Sequence, residues 1–302
     1  MAKYSGHGKL MLTGEYAVLD GALALALPTK KGQKMTVKAH RGTDLVWQSY
    51  DHEGKVWFES EISIYDFSAV KTTDQAVSDK LKKYLKNAVR LNCEFLDKWN
   101  AYKIETFLEF PRDWGLGSSS TLIHLIAEWA EIMPLELYLK CENGSGYDVA
   151  CAGAKGPIEF INSPEEVSYT PVDFKPSFAD QLFFVHLGQK QSSDDGIQAY
   201  LKAVKDKKNL VKTITDITEN VQEVKDLSSF KKLMEEHESV IGKHTGFTPI
   251  KAERFSNFDG TIKSLGAWGG DFVLATGDKD YVQQYFTGKG LTTIIPYKEM
   301  VL

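Results

Sequence analysis

The order of patterned segments predicts an α+β chain built in two parts. Three observations carry that expectation. Residues 33–64 read as short strands split by polar turns, such as those at 41–43 and 51–54. A strand-like run at 102–110 leads through Gly115-Leu116-Gly117-Ser118-Ser119-Ser120 into apolar residues at helical spacing: Leu122, Ile123, Leu125, Ile126 and Trp129. A polar segment at 162–178, marked by Pro164, Pro171 and Pro176, reads as a linker to a second half that opens on the apolar run 181–187.

Length and charge narrow the class of function. A chain of 302 residues can bury a substantial core, as one large unit or two domains. A formal net charge of −5 argues against a general nucleic-acid binder but leaves room for a local basic cleft that takes a small anion. Cys93, Cys141 and Cys151 show no C-x-x-C spacing, so reduced thiols and a cytoplasmic address are expected. No run approaches about 18 apolar residues, so no membrane partner is expected. The polar, glycine-bearing first residues lack the apolar core of a signal peptide. A homodimer stays open, since no local pattern encodes oligomeric state.

Taken in order, residues 8–19 read as a strand, a break at Gly14, and a second apolar stretch. Ala17, Ala22, Ala24 and Ala26 point to tightly packed backbone. Lys9 and Glu15 stand in apolar surroundings. They are either solvated strand ends or enclosed charges, and enclosed charges need partners: each other, or a phosphate. Residues 35–39, 45–48 and 56–58 are the strands of the β-rich region. A long helix is expected over 74–99, where Val77, Leu81, Tyr84, Leu85, Ala88, Leu91, Phe95 and Leu96 recur at three- and four-residue steps. Its lysines Lys80, Lys82, Lys83 and Lys86 read as a solvated face.

The segment 111–123 is the pivotal one. Strand, glycine-serine turn and helix together make a helix N-terminus, where backbone N–H groups and the dipole favour an anion. Gly115 and Gly117 let the backbone approach a ligand. The hydroxyls of Ser118, Ser119 and Ser120 could cap the helix, bind phosphate oxygens or hold magnesium. The plain alternative is that Ser118 is an N-cap and the glycines only make a turn. A short segment from Pro134 follows, then a tight turn at Gly144, Ser145 and Gly146 that places Asp148 near the start of another helix. Asp148 is there either a favourable helix-end charge or a chemical acid or base. Residues 156–161 return as a strand.

In the second half, strand 181–187 is followed by helices expected at 194–204, 210–224, 228–242 and 249–258. Residues 261–276 read as strand, glycine turn, strand, before a helix at 279–286 and a strand at 292–295. His186 is expected to be satisfied within its strand, and His237 to be exposed on an acidic helix.

These glycine-rich stretches, in this order, resemble the small-molecule kinases that include galactokinase, homoserine kinase, mevalonate kinase and phosphomevalonate kinase, the GHMP kinases. Residues 8–19 resemble the N-terminal motif, and Gly14-Glu15-Tyr16 is similar to the phosphomevalonate kinase form. Residues 115–120 resemble the ATP phosphate loop, 144–150 the segment of the catalytic aspartate, and 263–271 the C-terminal glycine motif. Three departures stand out. Trp268 occupies a position usually glycine, Leu265 one usually held by a small hydroxyl residue, and only 24 residues separate Ser120 from Ser145. That shortening removes the stretch that usually supplies an acidic magnesium ligand, leaving Glu136 and Glu142 as candidates.

The resemblance implies a fold and a chemistry. The N-terminal, ATP-binding half, 1–165, is expected to be like the second domain of ribosomal protein S5, and 178–302 to be ferredoxin-like, with the site between them. The implied reaction is transfer of the γ-phosphoryl group of ATP, with Mg2+, to a small acceptor, phosphomevalonate or mevalonate first. Asp148 and Lys9 would be catalytic, and Gly115, Leu116, Gly117, Ser118, Ser119 and Ser120 would hold the nucleotide. Ser119 and Glu136 would ligate magnesium. Glu15, Tyr16, Ser145, Gly146, Gly266, Ala267, Trp268 and Gly269 would line the acceptor site. Trp268 and the shortened segment keep a second function open, a nucleotide-binding or regulatory protein with little or no turnover.

Overall fold

The computed structural model describes the chain apart from residues 97–99, 189–192, 204–205 and 267–270, and apart from the side chains of 193–195. The backbone resolves into two compact units, each assembled from three stretches of chain. One comprises Met1–Gly8, Lys31–Arg112 and Leu116–Gly153; the other comprises Lys9–Lys30, Asp113–Gly115 and Ala154–Leu302. Two long strands, β1 (Ala2–Thr13) and β2 (Ala24–Ala39), pair with each other and contribute residues to both units.

The first unit is a twisted sheet covered by helices. From Gln33 to Ala39, β2 pairs antiparallel with β6 (Tyr102–Leu108). On its far side β6 runs parallel to β3 (Asp44–Tyr50), and β4 (Val56–Ser63) and β5 (Ala69–Thr72) continue the sheet. Burial alternates along β3, so Leu45, Trp47 and Ser49 face inward. Trp47 and Phe58 meet Tyr84 and Leu85 of α1 (Gln75–Leu91) and Ile123 and Ile126 of α2 (Ser118–Trp129) in one core. Each such side chain contributes roughly 1.5–3 kcal/mol by burial. Two short helices complete the unit, α3 (Pro134–Cys141), with proline in its first turn, and α4 (Tyr147–Gly153).

The expected helix over 74–99 is shorter in the structure. Asp74 caps α1 by accepting from the Val77 N–H at 3.1 Å, and the helix stops at Leu91. Asn92 ends it: its side-chain oxygen accepts from the Glu94 N–H at 3.1 Å while its amide donates to the Ala130 carbonyl at 2.8 Å. Leu96 then takes a positive φ of 62°. Lys83 is exposed, as expected of that face, and its ammonium also donates to the Cys141 carbonyl.

In the second unit the early part of β2 pairs with β7 (Ile158–Asn162), and β7 with β8 (Val167–Pro171). The expected linker 162–178 therefore contains an edge strand, with Pro171 at its end where a missing N–H costs little. A four-stranded antiparallel sheet follows, made of β9 (Leu182–His186), β10 (Ile262–Leu265), β11 (Phe272–Thr276) and β12 (Ile294–Pro296). Its order, β10-β11-β9-β12, is the ferredoxin-like arrangement. Between β9 and β10 run α5 (Ser193–Ala203), α6 (Lys207–Glu223), α7 (Leu227–Thr245) and α8 (Ile250–Arg254). The connection from β11 to β12 is α9 (Lys279–Thr287), and α10 (Tyr297–Met300) closes the chain. Phe183, Val185, Phe255, Val273, Val282 and Phe286 form this unit's core. No helix among the described residues is long and apolar enough to cross a membrane.

Candidate active site

The glycine-serine segment does not use its serines as caps. The N-cap of α2 is Gly117, in the left-handed region at φ 87°, and it offers no side chain to the first turn. Ser118 is already helical, so its expected alternative as the N-cap is not what the chain does. The first intrahelical bond runs from the Thr121 N–H to the Gly117 carbonyl at 2.9 Å. A twelve-residue helix with a glycine cap keeps early N–H groups available to an anion. Leu116 is buried beneath the turn, and Thr121 donates to the Gln33 side-chain oxygen at 2.7 Å, which pins the first turn to β2.

The two inner serines face different partners. Ser120, buried, donates to Asp148 Oδ2 at 2.7 Å. The other oxygen of that carboxylate, Oδ1, is buried without a partner. Ser119 is exposed and lies near the phenol of Tyr84, which donates to Glu142 Oε1 at 2.6 Å. Burial pushes the Tyr84 phenol far up, and the bond to Glu142 adds to this. Tyr138 is raised in the same direction, by burial first and then by the charge of Asp148. Tyr138 also bounds the 144–146 turn, since a Cβ on Gly144 would lie 2.3 Å from its hydroxyl. Gly146, at φ 92°, passes close to Leu135 of α3, and Ser145 is buried beside it.

Ser118, Ser119, Ser120, Ser145, Gly146 and Asp148 thus all belong to the first unit, as does Glu142, which accepts from Tyr84. Of the two acidic candidates, Glu136 is exposed on the first turn of α3. Ser119 and Glu142 are oxygen donors of the kind magnesium prefers, and the unpartnered Asp148 Oδ1 leaves capacity for one more hydrogen bond. Among the described residues no three His, Cys, Asp or Glu side chains gather as a metal cage. A cation that keeps several waters needs no such cage.

A second group sits within the other unit. Lys9 of β1 lines a small cavity with Trp114, Gly115, Gly266 and Asp271. A Cβ on Gly115 would lie 2.1 Å from Asp271 Oδ2, so this glycine, at φ 63°, lets the backbone pass against a carboxylate. Trp114 packs edge-on against Phe272 at 5.5 Å, and His186 holds the Asp113 carbonyl at 3.2 Å. Asp271 was not among the sequence candidates. The signal was the acid that ends the glycine motif at 269–271. Ala267, Trp268 and Gly269 lie outside the described residues.

Glu15 is enclosed, and its partner is not Lys9. Lys263 Nζ meets Glu15 Oε1 at 2.5 Å, with both side chains essentially inaccessible. Burial raises the Glu15 carboxyl, and the Lys263 charge opposes that. His237 is wholly buried rather than exposed on its helix. Its Nε2 accepts from the Gly14 N–H at 3.0 Å, so the ring is neutral, and burial holds its pKa well below the ordinary value. The 3.2 Å approach of that nitrogen to Glu15 Oε2 is therefore not an ion pair. Glu238 accepts from the Ser264 N–H at 2.9 Å and is pushed up to about 7, chiefly by burial. Tyr16, at φ 59°, stacks on Tyr200 at 5.6 Å and leans on Phe247. A Cβ on Gly196 would lie 2.5 Å from its hydroxyl.

Several solved structures similar over nearly the whole chain are kinases. The Streptococcus pneumoniae phosphomevalonate kinase in complex with phosphomevalonate and AMPPNP is 16% identical, over 97% of this chain and 99% of its own, at a TM-score of 0.72. The Methanococcus jannaschii mevalonate kinase is 17% identical, over 97% and 96%, at 0.67. The Lactococcus lactis galactokinase complexed with galactose is 13% identical, over 97% and 93%, at 0.67. No protein-family model and no curated protein matches the chain. At such identities the likeness is one of fold, and the chain has the fold of the GHMP kinases.

Proposed function

We propose that this protein is an ATP-dependent kinase that transfers the γ-phosphoryl group to a small metabolite, with mevalonate and phosphomevalonate the leading acceptors. The observation that carries this reading is the Ser120–Asp148 pair at the glycine-capped N-terminus of α2. A helix N-terminus whose N–H groups could take an anion and an acid with one unengaged oxygen stand together there. The shared fold of the similar kinases and the motif resemblance support it.

Phosphoryl transfer demands placement and charge neutralisation more than covalent chemistry. The N–H groups of residues 117–120 would face the nucleotide phosphates. Magnesium, when bound, neutralises charge on the phosphate oxygens. Ser119, with Glu142, would hold it. Lys9 would add positive charge toward the transferring group. Asp148 would take the proton of an alcohol acceptor, or orient an acceptor that is already a phosphate. No disulfide joins Cys93, Cys141 or Cys151, which suits a cytoplasmic setting.

The test is ADP release over a panel of mevalonate, phosphomevalonate, homoserine and galactose. Turnover on one of them is expected, and Asp148→Ala should lower kcat by roughly 10²–10⁴ while leaving the fold intact. AMPPNP binding without turnover on any acceptor would instead support a nucleotide-binding protein without kinase activity.

A further inference from the structure

Two features of the Asp148 carboxylate are unusual together. One oxygen is engaged by a single buried hydroxyl, Ser120 Oγ at 2.7 Å, and the other is buried and unpartnered. A carboxylate turns easily about its last torsion, so one hydrogen bond is enough to choose its orientation. A buried oxygen left without a donor lowers stability, and native structures keep few of them. Ser120 stands in the first turn of α2 and Asp148 in the first turn of α4, and both helices are anchored in one core through Ile123, Leu125 and Val149. The hydroxyl is thus held by a rigid element and is not a solvent-exposed rotor.

We infer that Ser120 is a positioning residue: it fixes Asp148 Oδ2 so that Oδ1 is presented to the hydroxyl proton of an alcohol acceptor. This rests on the kinase reading above and narrows it. An alcohol supplies the O–H donor that Oδ1 lacks. A phosphate monoester has lost most of its second proton by neutral pH and would set negative oxygens against it. In the step, the acceptor O–H bond breaks and its proton goes to Asp148 Oδ1. The acceptor oxygen forms a bond to the γ-phosphorus, and the bond to the β,γ-bridging oxygen breaks, its electron pair leaving with ADP. Ser120 keeps its own proton throughout.

The experiment compares wild type, Ser120→Ala, Asp148→Asn, the double variant, and the pair Ser120→Thr and Ser120→Val, which differ chiefly by the hydroxyl. Turnover on each acceptor, KM for ATP and acceptor, and thermal midpoints are read together. Ser120→Ala is expected to lower kcat about 10- to 100-fold, within the range of general-base effects, with both KM values nearly unchanged. Ser120→Thr should retain far more activity than Ser120→Val, whether or not the extra methyl group lowers stability. The double variant should be no slower than Asp148→Asn, because Ser120 acts only through Asp148. Wild-type kcat in Ser120→Ala, equal losses in the Thr and Val variants, or additive losses in the double variant would overturn the role. Turnover on phosphomevalonate alone would overturn the alcohol assignment and leave the kinase reading standing. A wild type that releases ADP with no acceptor on the panel removes the kinase reading and this inference with it.

Discussion

At the scale of single residues, the buried titratable groups make opposite demands on pH. Burial pushes His124 down to about 4 from its ordinary 6.5. Between those values the unfolded chain binds the extra proton, so the stability His124 confers is complete above pH 6.5 and lost as pH falls toward 4. The difference is about 3 kcal/mol at about 1.4 kcal/mol per pH unit. Glu238, pushed up to about 7 from 4.5, does the reverse. The folded chain holds its proton, and that contribution is complete below pH 4.5 and lost as pH rises through 7. Over pH 4.5–6.5 the two slopes oppose each other. Urea midpoints taken across this range should therefore rise less steeply with pH, or fall, in His124→Gln relative to wild type, and should rise more steeply in Glu238→Gln. At pH 8, Glu238→Gln should also be more stable than wild type, since it removes a buried charge while an amide oxygen can still accept from Ser264. Parallel pH profiles for all three proteins would contradict this assignment of protons.

At the scale of elements, periodicity told helix from strand well but told ends poorly. The 74–99 pattern continues past Leu91 in apolar spacing, yet Asn92 turns the backbone with its own side chain, a local competition that hydrophobic period does not register. The prolines of 162–178 marked a break but concealed β8, because an edge strand tolerates proline. The segment 113–120 was the most legible, since glycine positions carry backbone geometry directly. Gly115 and Gly117 both lie at positive φ. What the sequence could not show there is that the first glycine clears a carboxylate. Gly115→Ala should destabilise by about 1–2 kcal/mol through its left-handed backbone alone. It should cost more because its Cβ would meet Asp271. Removing that carboxylate should relieve only the contact, so Gly115→Ala/Asp271→Ala should melt higher than Gly115→Ala once the effect of Asp271→Ala alone is subtracted. Strict additivity of the two substitutions would show that the alanine is accommodated without touching Asp271.

At the scale of the whole molecule, the motifs were legible and their partners were not. Asp148 and Ser120 lie 28 residues apart, within one patterned region. Lys263 meets Glu15 across 248 positions, and His237 meets Gly14 across 223. A local pattern reports period and turn chemistry, and nothing in it names a distant strand. His237 was expected outside for that reason: an acidic helix reads as solvated until the Gly14–Glu15 turn is laid against it. The same pairing decides whether residues 178–302 can stand alone as a domain. That fragment keeps its aromatic core, from Phe183 to Phe286. It loses Glu15 from Lys263, Gly14 from His237, and Thr13 and the Leu23 carbonyl from Thr218. A buried ammonium without its carboxylate is strongly unfavourable, and breaking such a pair typically costs about 3–5 kcal/mol. The isolated fragment should therefore lack a cooperative urea transition. Lys263→Met should then act with opposite signs in the two contexts. In the full chain it leaves Glu15 buried without its cation and should destabilise. In the fragment it removes the unpaired charge and should promote folding. If the unsubstituted fragment unfolds cooperatively at the midpoint of the full chain, residues 178–302 are an autonomous domain and the Glu15–Lys263 pair contributes little to holding it together.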